Sequence, residues 1–279
     1  MAQPEKFSLL MPVYIGDRAD YFLRAFLSTV NEQTLKPAEV VIVEDGPLSP
    51  EMHATLARLA SESPVPVVRV PLAENVGLAL ALEAGLVKCS YEVVARMDAD
   101  DISEATRFEQ QLALMAQGYD LVGAGLIEFE GDESELGLTR TPPTGDDIAR
   151  SARLAQPFYH PTVVFRKAAV AAAGGYRDIG PMEDYWLFAR MIHGGARVAN
   201  IPTPLVRYRI SDGAYARRGG WGKLVTEINL QRQLRRIGFT TRTQFLRNLI
   251  VRGGYRLVPE GVRRAAYRRL IANRFEARG

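Results

Sequence analysis

Apolar positions along this chain follow two rhythms that alternate. Phe7–Val13 is a nearly unbroken apolar run, as expected of a strand buried on both faces. Leu23, Phe26, Leu27 and Val30 then recur at helical spacing, and Pro37 closes that element. Glu39–Val43 is a second β-branched run and Pro66–Val70 a third. Gly77–Val87 has helical composition, and Glu92–Met97 reads as a fourth strand. Arg107–Met115 reads as a helix with Phe108, Leu112 and Met115 on one face. This order predicts a mostly parallel α/β sheet with helices on both faces. Ligands of such sheets collect at the carboxyl ends of the strands, so chemistry is expected in the residues that follow each one.

Beyond Leu126 the rhythm weakens. Residues 128–146 are acidic and rich in Gly, Pro and Thr, which predicts a loop or irregular excursion. Pro161–Arg166 and Leu205–Ile210 read as strands, and Glu183–Ile192 as a helix behind Gly180 and Pro181. From Trp221 the pattern is of basic helices, around 221–237, 243–257 and 262–275, broken at Gly238, Gly253–Gly254 and Pro259.

Composition narrows the class. The 279 residues are 47% hydrophobic, enough for one large α/β domain with or without an appendage. No run of eighteen apolar residues occurs, so no spanning helix is expected. The opening residues carry no signal-peptide pattern, and Cys89 is the single cysteine, which excludes an intramolecular disulfide or a Cys-rich metal cluster. A reducing cytosol is the expected compartment, and Cys89 reads as a small buried residue. The net charge of +3 conceals an asymmetry. Residues 217–279 hold sixteen Arg or Lys against three acids, a balance of +13, which leaves −10 for residues 1–216. An acidic body carrying a basic tail points to an anionic partner for the tail.

The chemistry concentrates after the fourth strand. Asp98, Asp100 and Asp101 place three carboxylates in four positions, where mutual repulsion calls for compensation. A divalent cation supplies it, because hard cations prefer carboxylate oxygens and a diphosphate can complete the shell. Residues two apart on an extended segment point the same way, so Asp98 and Asp100 can converge. The competing reading is local: Asp101 or Ser103 as the N-cap of the following helix. Glu44–Asp45–Gly46 closes the second strand, where a carboxylate can accept from a base or ribose or simply end a turn. Asn75 and Gly77 read equally as a turn and helix start.

As a set, these segments resemble the family 2 glycosyltransferases. The resemblance rests on Leu10–Tyr14, Ser28–Thr34, Pro37–Gly46, Asn75 with Gly77, Met97–Asp101, and Glu183–Asp184 ahead of Tyr185 and Trp186, all in matching order and spacing. It covers about residues 6–215 and is similar to bacterial exopolysaccharide enzymes of the amylovoran-biosynthesis group. It implies a GT-A fold, with residues 1–216 as nucleotide-sugar-binding and catalytic domain and 217–279 as a basic helical extension. It implies that Pro12, Val13 and Tyr14 line the nucleobase pocket, that Asp45 accepts from the base, and that Asn75, Gly77 and Arg96 border the nucleotide. Asp98 and Asp100 become the metal pair for Mn2+ or Mg2+, with Asp98 toward ribose or metal. Asp184 becomes the general base of an inverting hexosyl transfer from a nucleotide sugar, with UDP favoured by family tendency. The acceptor would be a saccharide or lipid-linked sugar in cell-surface polysaccharide synthesis. Without the resemblance, Asp184 reads as a first-turn acid favoured by the helix dipole.

One departure stands out. Some relatives carry a metal-binding His after a Tyr-Arg pair near the end of the catalytic domain. Here Tyr208, Arg209 and Ile210 are followed by Ser211 and Asp212. Asp212 or water is left to complete the shell, and His160 reads as a structural or acceptor-side residue. Arg217 and Arg218 either clamp the diphosphate or begin the tail. The tail itself, with its Phe245, Leu246, Leu249, Ile250 stripe, either packs on the catalytic domain or lies on the anionic inner face of the cell membrane. Nucleic acid is not expected, because no nucleic-acid motif accompanies the charge.

Two other classes compete. A sugar-phosphate nucleotidyltransferase needs a Gly-rich, basic loop after the first strand, where Met11–Asp17 supplies only Gly16. An Asp-nucleophile phosphatase needs its Asp pair after the first strand, not the fourth. A non-catalytic nucleotide-binding module is the remaining alternative.

Overall fold

The computed structural model describes residues 5–210 and 220–254. They fall into two compact units: residues to Asp178 with Glu183–Arg209, and Ile179–Met182 with the chain from Ile210 on.

The first unit opens with β1 (Phe7–Tyr14), α1 (Ala19–Phe26, extended by a π turn over Leu27–Asn31) and β2 (Glu39–Asp45). α2 (Pro50–Glu62), β3 (Val67–Pro71), α3 (Leu78–Lys88) and β4 (Val93–Arg96) follow. Next come β5 (Ile102–Ser103), α4 (Arg107–Met115), β6 (Leu121–Phe129), β7 (Leu136–Arg140) and α5 (Asp147–Ala152). β8 (Val164–Arg166), α6 (Lys167–Ala172), α7 (Glu183–His193) and β9 (Val198–Arg209) complete it.

The sheet runs β3-β2-β1-β4-β8-β6-β9-β5, with β7 on β6. β3, β2, β1 and β4 are mutually parallel. β8 is antiparallel to both β4 and β6, and β9 is parallel to β6. The two-residue alternation of a strand explains the two cores. Leu9, Met11, Val13, Val40 and Ile42 meet α1, α2 and α4 on one face, while Leu10, Val41 and Val43 meet α3 and α7 on the other. Both faces are apolar because both are covered, which is why these strands read as unbroken hydrophobic runs.

The stretch predicted to be irregular corrects the sequence reading. Leu121–Phe129 is a nine-residue strand, and Leu136–Arg140, inside the expected loop, pairs with it. Glycine and charge hide this strand in the sequence. A Cβ on Gly125 would lie 2.6 Å from the Pro202 carbonyl oxygen, so the glycine permits β9 to approach. Glu128 is buried against Arg140. β9 is longer than predicted because it carries Pro202, Thr203 and Pro204 through two register shifts against β6. Pro161 lies in a 3-10 turn, His160–Thr162, ahead of β8.

The second unit holds α8 (Trp221–Arg236) and α9 (Arg242–Asn248), the latter continued by a π turn over Leu249–Gly253. A polar ladder joins them: Gln231 donates to Glu227 at 3.0 Å, Asn248 to Gln231 at 2.9 Å, and Arg252 to Glu227 at 2.6 Å. Thr241 and Gln244 form a capping box that starts α9. The helix predicted over 262–275 lies outside the described residues, as do Ser211, Asp212, Arg217 and Arg218.

Gly125→Val is expected to destabilise the chain by about 1–3 kcal/mol through overpacking against β9, read as a lower denaturation midpoint. An unchanged midpoint would mean that β9 yields freely at Pro202.

Candidate active site

A cavity of about 310 Å³ opens beyond the carboxyl ends of β1, β2 and β4. Pro12, Val13 and Tyr14 line it from β1, Asp45 from β2, and Asn75, Gly77 and Leu78 from the start of α3. Asp98, Ala99, Asp100 and Asp17 complete it. Of the residues picked from the sequence, Arg96 and Asp184 are not in the lining.

Each wall has a local cause. Asp45 is buried, and its two oxygens accept the backbone N–H of Val76 at 2.7 Å and of Gly77 at 3.1 Å. It therefore braces the start of α3 against the end of β2, a role that sequence alone did not separate from base recognition. Gly46 makes this possible: it has φ +85°, and a Cβ there would meet the Asn75 backbone nitrogen at 2.6 Å. Glu44 takes no part in the lining, because Arg69 holds it with both Nε and an Nη at 2.7 and 2.8 Å. Tyr14 is half exposed at the rim, its ring folded back over Gly16, where a Cβ would collide with it.

The carboxylates beyond β4 are differently engaged. Arg96 is fully buried, and its two terminal nitrogens grip Asp98, one contact at 2.6 Å. Among the described residues, no arginine or lysine side chain hydrogen-bonds the Asp100 carboxylate; Arg209 Nε donates instead to the Asp100 carbonyl at 3.0 Å. Asp101 is buried, with Oδ1 accepting the Arg209 N–H at 2.9 Å and Oδ2 unpartnered. The helix-cap alternative fails here: Thr106 is the N-cap of α4, without a side-chain bond, and Ser103 accepts from Arg107.

The local field is strongly negative. Burial, then Asp98, pushes the Asp100 carboxyl up to about 6. Burial, aided by Asp100 and Asp98, pushes Asp17 up to about 7 against the N–H it accepts from Tyr14 at 2.9 Å. Asp101 is raised well above the usual carboxylate range by burial and by Asp100. Asp17 was missed in the sequence because a lone acid in a turn carries no distinguishing pattern.

Asp184 stands on the first turn of α7 and is largely buried. Its Oδ1 accepts the Tyr185 N–H at 2.6 Å, and its Oδ2 accepts Gln156 Nε2 at 2.5 Å. Burial makes this carboxyl a weaker acid than usual, and the Gln156 and Tyr185 hydrogen bonds, then the charge of Arg96, oppose that shift. The same charge reaches Glu183, which burial and Asp184 push up to about 7. The charge of Arg96 thus acts both on the carboxylates beyond β4 and on those of α7. His160 Nδ1 lies 3.8 Å from Asp184, beyond hydrogen-bond range, and Nε2 lies 2.8 Å from the Tyr176 hydroxyl. Burial and Arg96 hold this imidazole neutral, well below its ordinary range. Cys89 is buried and pushed up to about 12 by burial, which suits a packing role.

Residues 8–173 match the profile of Glycosyl transferase family 2. The chain is a family 2 glycosyltransferase. It is 38% identical over 266 residues to the amylovoran biosynthesis glycosyltransferase AmsE of Erwinia amylovora, covering 94% of this chain and 97% of that protein. It is 32% identical over 268 residues to an Escherichia coli UDP-Gal:alpha-D-GlcNAc-diphosphoundecaprenol beta-1,3-galactosyltransferase, covering 95% and 96%. Residues 1–349 of S. aureus TarS in complex with UDP-GlcNAc share the fold, with a TM-score of 0.66 at 14% identity over 88% of this chain and 72% of that one. The glycosyltransferase thus has the GT-A architecture expected from its sequence.

Among the described residues no three His, Cys, Asp or Glu side chains are placed to hold a metal ion by themselves. The donor set of this glycosyltransferase still suits a hard cation shared with a ligand. It is all oxygen, and the carboxyls of Asp17 and Asp100, which line the cavity, are raised by burial and by the acids around them.

The pH consequence follows from the sign. A carboxyl raised in the folded state contributes stability below its unfolded value near 3.8 and loses it as pH rises through about 6. Without divalent cation, Asp100→Asn is therefore expected to stabilise the protein by about 1–3 kcal/mol at pH 8 and by almost nothing at pH 4. Urea unfolding at both pH values measures this; an equal effect at both would mean the charge is not the cause.

Proposed function

We propose that this glycosyltransferase performs an inverting transfer of a sugar from a nucleotide donor, a UDP-sugar, to a saccharide or lipid-linked acceptor in cell-surface polysaccharide synthesis. One observation carries the reading: in a chain of family 2, Asp17, Asp98 and Asp100 line one cavity at the strand ends together with Pro12, Val13 and Tyr14. The relatives support the donor and acceptor classes, since one is named for UDP-Gal and a diphosphoundecaprenol-linked acceptor, and TarS was solved with UDP-GlcNAc.

Pro12, Val13 and Tyr14 offer an apolar wall with an aromatic rim for the nucleobase. Asp98 and Asp100, with diphosphate oxygens, would hold Mn2+ or Mg2+. That cation, when bound, neutralises charge developing on the leaving diphosphate as a Lewis acid. Arg96 keeps Asp98 in one orientation and lowers the repulsion among the acids around it. Asp184 takes the proton of the acceptor hydroxyl as its oxygen bonds to the anomeric carbon. The bond from that carbon to the diphosphate breaks on the opposite face, and its electron pair leaves with the diphosphate, as in single-displacement sugar chemistry.

The test is a donor panel: UDP-galactose, UDP-glucose, their N-acetyl forms, dTDP-rhamnose and GDP-mannose, each with Mn2+ and with chelator. Asp100→Ala is expected to abolish metal-dependent UDP binding. Asp184→Asn is expected to keep UDP binding and lose about 10²–10⁴-fold in turnover. Full turnover by Asp184→Asn would remove it from the base role.

The tail is read as a peripheral anchor on anionic lipid. Trp221 and Val225 are exposed at the start of α8, Leu246 on α9, and Ile250 and Val251 in the π turn that follows it. Leu224 packs over Gly253, so these two ends are adjacent. Arg232, Arg236 and Arg242 are exposed toward the opposite end of the helix pair. An exposed aromatic and aliphatic patch on a basic helix pair suits a headgroup boundary. No helix among the described residues is long and apolar enough to cross a membrane. Cosedimentation with phosphatidylglycerol vesicles is expected at low salt. It should weaken several-fold in a Trp221→Ala, Ile250→Ser double variant and at 0.5 M salt, where about 4 Å of screening length remains. Equal binding to neutral vesicles would contradict it.

A further inference from the structure

The base role of Asp184 leaves a question of how a buried carboxylate keeps its charge and its orientation. Arg96 faces it from β4, Glu183 from its own helix, His160 from the 3-10 turn, and Tyr176 from the segment after α6. Glu183 repels it, and Asp98 adds to the negative field at Glu183. His160 is neutral and, at 3.8 Å, too far to donate. Tyr176 is spent on His160. Arg96 contributes charge to Asp184, but its terminal nitrogens are committed to Asp98. Among the described residues, the side-chain donor to Asp184 is therefore Gln156, at 2.5 Å on Oδ2. Gln156 lies between α5 and the His160 turn, 28 residues from its partner.

We propose that Gln156 is a positioning residue for Asp184: its amide N–H fixes the carboxylate's orientation and stabilises its negative charge. The inference rests on the base role assigned above. An amide suits the task. A neutral donor stabilises the carboxylate without neutralising it, whereas an ammonium or guanidinium there would make it a poor proton acceptor. The Tyr185 N–H fixes the other oxygen, so the two bonds together leave the carboxylate one rotamer. The remaining lone pairs are then those available to the acceptor hydroxyl.

Gln156→Met removes the donor at similar volume, and Gln156→Glu replaces it with a second acid. The assay is turnover against pH for the panel nucleotide sugar that the wild-type protein hydrolyses fastest, with UDP affinity in Mn2+ measured alongside. Gln156→Met is expected to lower kcat at pH 7 by about tenfold and to shift the acid limb of the kcat profile upward by about half to one pH unit, while KM and UDP affinity stay within about twofold. Gln156→Glu should move the limb further up, because the added carboxylate repels Asp184. Limbs that stay in place in both variants overturn the proposal. So does parallel loss of UDP binding and turnover, which would make Gln156 a support of the fold only. Asp184→Asn separates the two levels. If it is active, the base role falls; if it is inactive while the limbs stay fixed, the Gln156 inference alone falls.

Discussion

A buried guanidinium organises this site. Arg96 is sealed beneath the end of β4, yet its charge acts on Asp98, Asp100, Asp101, Glu183 and Asp184. Acids this close to one another call for a cation among them, and burial makes Asp100, Asp101, Glu183 and Asp184 harder to ionise. Burial also opposes the charge of Arg96, but the pair with Asp98 outweighs it. The arrangement is held from below by Arg107, which donates to the Arg96 carbonyl at 2.7 Å and is itself pushed down to about 9 by burial and by Arg96. A second buried arginine, with no carboxylate hydrogen-bonded to it among the described residues, is tolerated because Gln111, Ser103 and the Met97 sulfur take its other N–H groups.

The parallel half of the sheet provides the platform. β1, β2 and β4 all end on the same side, so Tyr14, Asp45 and Asp98 meet although they are far apart in sequence. The cradle is backbone-braced rather than loose. Asp45 and Gly46 pin the segment before α3, and the Tyr14–Asp17 turn is closed by hydrogen bonds in both directions. Rigid placement of this kind is what lets a site spend ligand binding on orientation instead of on ordering loops.

Much of this was legible in the chain. The strands β1 to β4 are buried on both faces, so their composition declared them, and Asp98 and Asp100 declared themselves by following one. What stayed hidden depends on packing partners that no local window contains. β6 needs Gly123 and Gly125 to admit β9, and those residues read as breakers. Asp45 is spent on two backbone N–H groups that only the fold brings to it. Gln156 is an unremarkable polar residue until α7 arrives beside it, and Asp17 gains meaning only through the field of two acids eighty residues away.

β9 ends at Arg209, whose N–H is taken by Asp101 and whose guanidinium lies 3.9 Å from the Tyr21 ring and 4.4 Å from that of Phe129. The next residue already belongs to the second unit. The acid cluster is thus latched to the last residue of the sheet, and the latch is complete before the basic extension starts. A chain shortened by only a few residues within β9 would therefore strip Asp101 of its backbone donor and unfasten the acids from the end of the sheet, whereas the clasp itself asks nothing of the residues that follow Arg209.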